Sequence, residues 1–146
     1  MERSAFRKRL RRMHRLLVNS KAALDNASGL VPNKWLQDLF FMLACRRVIM
    51  LNLIDKELGA FLLSSKPNVF TENHLAAFIP DVYGHDPANF MEVCELEEGH
   101  LLTELKELMY EPGISERARQ MVMALLCEAE QNMTDLSFVK GNLLRA

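Results

Sequence analysis

Between Phe90 and Met109, Met91, Cys94, Glu98, Leu101, Leu105 and Leu108 recur at alternating spacings of three and four. That is the stripe of a helix that buries one face, and it constrains the chain more than any other feature. Such a helix draws its stability from neighbours that cover its stripe. One member of the stripe, Glu98, is a carboxylate. A carboxylate on a core stripe is costly unless it is paired, hydrogen-bonded or bound to a cation. Glu92, Glu95, Glu97, His100, Glu104 and Glu107 occupy the same stretch, so the remaining faces are strongly acidic.

The rest of the chain supplies the covering helices. Phe6, Leu10, Met13, Leu17 and Leu24 repeat at helical spacing and predict a first helix over about 4–27, ended by Ser28-Gly29. After the turn Gly29-Leu30-Val31-Pro32, Asn33 is a good cap for a second helix reaching about Ser64, with Trp35, Leu39, Met42, Leu43, Ile49, Met50, Leu53 and Phe61 as its stripe. A turn this short makes the two helices antiparallel. Asp86-Pro87 is a helix start, a cap residue followed by proline at the first helical position. Pro112-Gly113 breaks that third helix near Glu111, and Ser115 caps a fourth that extends to about Asn142. Leu, Met, Ala, Glu and Arg dominate while Val, Ile and Thr are scarce, which favours helix throughout.

The expected fold is therefore all-α, a single four-helix-bundle domain over the 146 residues. Two antiparallel hairpins, with helices at about 4–27, 33–64, 87–111 and 115–142, are joined by a crossover at 65–86. That connection is too long for a hairpin. Val69, Phe70, Leu75, Phe78, Ile79, Val82 and Tyr83 predict that it straps over the bundle, with a short helix from Thr71 to Phe78.

Charge is distributed unevenly. Residues 1–21 sum to +7 and the remainder to −8, with −6 of that in residues 87–111. The first and third helices are thus electrostatically complementary, and as neighbours they would fix each other's pairing. Arg46 and Arg47 interrupt the longest apolar run, so no segment reads as a membrane span. Three cysteines without Cys-x-x-Cys spacing argue against a disulfide framework or a zinc site and point to the cytoplasm. No apolar signal core follows the basic N-terminus.

Several groups could carry chemistry. Glu98, with Glu95 flanking the same stripe, is the candidate for an interior site. Glu97-x-x-His100 has the spacing that lets a carboxylate and an imidazole share one metal, but it lies on the polar stripe off the core, where a solvated pair is the ordinary occupant. Arg7, Arg9, Arg11, Arg12 and Arg15 form a basic patch able to grip nucleic acid or an acidic membrane surface; a solvated or internally neutralised helix face is the plainer reading. His14 and His100 lack the following Lys-Gly of histidine phosphotransfer domains. Cys45, Cys94 and Cys127 sit among apolar neighbours and read as small core residues. No nucleophile has an identifiable base beside it.

The helical layout together with Cys94-Glu95-x-x-Glu98, and an Arg in the apolar run of the second helix (Arg46 or Arg47), resembles the ferritin-like YciF-type family of bacterial bundle proteins over about residues 10–140. The resemblance implies a ferritin-like four-helix bundle, dimeric, of largely unassigned, stress-associated activity. A di-iron member of the wider group takes one Glu from each of two helices and a Glu-x-x-His from each of the other two. Here the first helix has no Glu after Glu2, the middle of the second has arginines, and the fourth offers Glu128-x-x-Gln131. The expectation is a non-enzymatic interaction protein, a homodimer, with a degenerate or absent di-metal site. In it Arg46 or Arg47 reaches Glu98 as an interior salt link. The alternative is an iron- or manganese-binding protein using Glu95, Glu98 and Glu128.

Overall fold

The computed structural model describes residues 2–31, 33–59 and 87–145. Four helices account for nearly all of them: α1 (Glu2–Leu30), α2 (Lys34–Leu58), α3 (Pro87–Met109) and α4 (Glu116–Arg145). The expected crossover helix at 71–78, the apolar residues of the crossover and Phe61 all lie outside the described residues.

The caps explain most of the boundaries. Asn33 Oδ1 accepts from the backbone N–H groups of Trp35 and Leu36, and Ser115 Oγ accepts from that of Ala118. Each thereby satisfies donors that the first helical turn leaves free. Two ends differ from expectation. Helix α1 runs through Ser28-Gly29 to Leu30, and the Val31 N–H still donates to the Ala27 carbonyl at 3.1 Å. Gly29 has no left-handed conformation here, so it is a tolerated helical glycine, and the stop comes from Pro32, which has no N–H to give. Helix α2 ends at Leu58 rather than near Ser64 because Gly59 adopts φ 111°, ψ 152°, a region open in practice only to glycine.

Helices α1 and α2 pack as one hairpin, α3 and α4 as a second, and α2 also lies against α4. Directions follow from the side chains that bridge them. Arg7 donates to the Leu58 carbonyl and Arg9 pairs with Glu107 and Glu111, which brings the C-terminal ends of α2 and α3 to the start of α1. At the opposite end the Phe40 and Phe90 rings meet edge to face at 4.9 Å. Helices α2 and α3 therefore run in the same direction, so the chain leaves α2 at one end of the bundle and enters α3 at the other.

The buried apolar side chains fall into two clusters. One gathers Phe6, Leu10, Met13 and Leu17 with Met50, Ile54, Leu105, Val122 and Leu125. The other gathers Leu24, Ala27, Leu36, Phe40 and Leu43 with Phe90, Met91 and Leu136. The α1 and α3 stripes lie inward as the spacing predicts. The α2 stripe does so only in part, at Leu39, Leu43 and Met50. Its buried face is Leu36, Leu39, Phe40, Leu43, Ala44, Arg47, Met50, Ile54, Asp55 and Leu58, whereas Trp35 and Ile49, expected inside, are exposed. Because α2 is apolar almost all round, periodicity alone gave its phase no purchase.

Candidate functional site

Between the two apolar clusters lies a layer to which each helix contributes one buried polar residue: Ser20 from α1, Arg47 from α2, Glu98 from α3 and Asn132 from α4. Glu98 is only 1% exposed and Arg47 2%. The Arg47 guanidinium donates through Nη2 to Glu98 Oε1, through Nε to Ser20 Oγ at 3.0 Å, and through Nη1 to the Met50 sulfur at 3.5 Å. Asn132 Nδ2 approaches the same Glu98 oxygen at 3.4 Å. Its own Oδ1 accepts from Arg46 Nη1 at 3.0 Å, and Arg46 pairs further out with Asp135. The chain Ser20–Arg47–Glu98–Asn132–Arg46–Asp135 thus crosses the bundle from α1 to α4. Of the two adjacent arginines, Arg47 faces inward to Glu98, while Arg46 turns to the α2–α4 seam.

The layer leaves one atom unserved. Glu98 Oε2 is buried without a hydrogen-bond partner, which carries a desolvation penalty. One turn earlier, the Cys94 thiol is pushed far above its ordinary value, first by burial and then by the Glu98 charge, so it stays protonated and unreactive. A second buried pair lies about two turns along α2, where His14 Nε2 is 2.9 Å from Asp55 Oδ1. That oxygen makes no aligned hydrogen bond, so the contact is a close approach of polar groups rather than a well-formed bond.

The other sequence candidates are dispersed. Glu95 pairs with Lys140 at 2.9 Å, and that contact raises the lysine's proton affinity. Glu128 is half-buried on α4. Glu97 and His100 lie on the flank of α3 that faces α1. With Arg12, Ser20, Arg47 and Glu104 they line a cleft of about 330 Å³. Among the described residues no group of three or more His, Cys, Asp or Glu side chains comes together as a metal site. The basic patch is split. Arg9 forks onto Glu107 and Glu111 at 3.0 Å each and Arg7 is tied to α2, while Arg11, Arg12 and Arg15 face solvent. Cys94 is buried, but Cys45 and Cys127, expected in the core, are exposed, because both lie opposite their helices' buried stripes.

Sequence reading missed Ser20, Asn132 and the His14–Asp55 pair. Asn132 was within reach of it, since Val122, Leu125, Ala129, Asn132 and Leu136 repeat at spacings of three and four and mark an amide on the α4 core stripe, as Glu98 marks that of α3.

No protein family, curated protein or solved structure matches this chain. Its chemistry therefore has to be read from the layer itself. Among the described residues no helix is long and apolar enough to cross a membrane.

Proposed function

We propose that the chain is a non-enzymatic, ferritin-like four-helix bundle in which a salt link stands where a di-metal centre would lie, and that it works through its surface as a dimeric, cytoplasmic interaction protein. The observation that carries this reading is the Arg47–Glu98 pair between the two apolar clusters. Di-metal bundles draw acidic and imidazole ligands from all four helices into the bundle core. Here the four contributions are a hydroxyl, a guanidinium, a carboxylate and an amide. The parallel course of α2 and α3, with a long connection between them, is the topology such a bundle requires.

Iron or manganese fits this donor set poorly. Of the three candidate ligands, Glu98 already holds a fixed cation and Glu95 holds Lys140. Arg47 places a permanent positive charge beside the position a metal would take, and no imidazole accompanies the carboxylates of the layer. The interior polar groups serve instead to set which helix faces meet, a role best attested for buried polar residues in coiled coils.

Elemental analysis of protein purified without chelator tests the proposal. Iron and manganese far below one atom per chain are expected, and a stoichiometric transition metal would overturn the reading. The exposed Arg11, Arg12 and Arg15 support a competing reading, a basic arm that binds nucleic acid or acidic membrane. It requires low-salt binding that weakens steeply as salt is added and is lost when the three are changed to Gln.

A further inference from the structure

Helix α2 presents apolar surface on both sides. Opposite its buried stripe, Phe41, Val48 and Ile49 are 62%, 39% and 46% exposed, with Cys45 exposed among them. A helix that is apolar all round belongs in an interior, yet no described helix covers this side.

The charges at the two ends of the strip indicate what does. Asp38 precedes the apolar patch and Lys56 follows it. Eighteen residues separate them, about five helical turns, so the two point from one face of α2. Both are exposed, and among the described residues Asp38 makes a loose ion pair at 3.6 Å to Lys34, itself 80% exposed. A strip that runs from acid through an apolar patch and the exposed Asn52 to base is complementary to itself when a second copy lies antiparallel. Asp38 of each copy then meets Lys56 of the other about a two-fold axis near the middle of the helix, which sets Cys45 opposite Ile49 and Phe41 opposite Asn52 and Leu53 of the other copy. A parallel arrangement would set Asp38 on Asp38 and Lys56 on Lys56, which like-charge repulsion disfavours. Such self-complementarity is what an isologous two-fold interface demands.

We infer that the outer face of α2 is a homodimer interface, with two α2 helices packed antiparallel about a two-fold axis and Asp38 paired with Lys56 across it. This rests on the dimeric interaction-protein reading and adds to it the face through which the two copies meet. The test has its own readout, since oligomeric state is measured independently of metal content.

Sedimentation equilibrium on the full chain and on five variants tests the inference, with helical content checked by circular dichroism. The parent is expected to be a dimer. Phe41→Glu and Ile49→Glu, both surface changes that leave the core intact, are expected to raise the dissociation constant roughly 30-fold or more. Asp38→Lys alone and Lys56→Asp alone each oppose like charges at two symmetry-related points and are expected to weaken the dimer roughly tenfold. The variant carrying both reversals re-forms the pairs with opposite polarity and is expected to recover parental affinity. A monomeric parent would overturn the inference, with residues 60–86 of the same chain then the natural cover for this face. A dimer indifferent to Phe41→Glu and Ile49→Glu would place the interface elsewhere. A dimer broken by those two but not rescued by the double reversal would refute the antiparallel pairing.

Discussion

Arg47 and Glu98 illustrate how a buried ion pair differs from an apolar contact. Joining the two charges in the interior gains little over a well-packed apolar pair, because both lose their water; separating them leaves one charge stranded. Arg47→Ala or Glu98→Ala alone is therefore expected to destabilise the protein by about 3–5 kcal/mol. Arg47→Met combined with Glu98→Leu should recover most of that loss, and urea denaturation with an unchanged m value would show it. An additive double variant would mean that the two residues act separately. Cys94 offers a second test at this scale. Its native thiol remains protonated while the unfolded thiol ionises near 9.0, so above that pH the unfolded state binds fewer protons than the native one. Stability should then fall with rising pH more steeply in the parent than in Cys94→Ala, by up to about 1.4 kcal/mol per pH unit. In the native protein a thiol reagent should modify Cys127 quickly and Cys94 only on unfolding. Glu98 was legible in the sequence because its neighbours fix the phase of α3. The choice between Arg46 and Arg47 was not, because both lie in an apolar run whose phase periodicity cannot settle.

At the scale of the helix, sequence told most where chemistry is local. Asn33, Ser115 and the Pro112-Gly113 break act over one turn, and the structure has each cap bond in place. The end of α2 was equally local yet was overrun, because apolar residues continue past Gly59 in Ala60, Phe61, Leu62 and Leu63 and periodicity outweighed a single glycine. Gly59 decides the matter through its backbone, with φ at 111° and its N–H donating to the Asp55 carbonyl at 2.7 Å. A Cβ there is strained whatever room surrounds it. Gly59→Ala should cost about 1–3 kcal/mol, against about 1 kcal/mol for Asn33→Ala, which removes one cap; thermal melts of the two variants give the comparison. The exposed face of α2 teaches the complementary lesson. Hydrophobicity counted toward a core can belong to a surface, and only the positions of the neighbouring helices separate the two.

Across the whole molecule the charge asymmetry read from sequence has a partial structural counterpart. Arg9 bridges α1 to the end of α3 through Glu107 and Glu111, Arg12 lines one cleft with Glu97 and Glu104, and Arg11 and Arg15 stay in solvent. Four helices in two hairpins were legible because every break is marked by proline or glycine. The ordering of helices around the axis was not, since it depends on contacts between residues far apart in the chain. Each hairpin also holds half of the buried pair: Arg47 belongs to the first, Glu98 to the second. Expressed as separate peptides, residues 1–59 and 87–146 should each be poorly ordered, and mixing them should restore helical circular dichroism unless Glu98 has been replaced by Lys. Neither half can settle into a dry, finished state by itself, because each would seal an unanswered charge inside. The layer thereby acts as a proofreading device for assembly, penalising a half-built or misregistered bundle and sparing the one arrangement in which both charges are met.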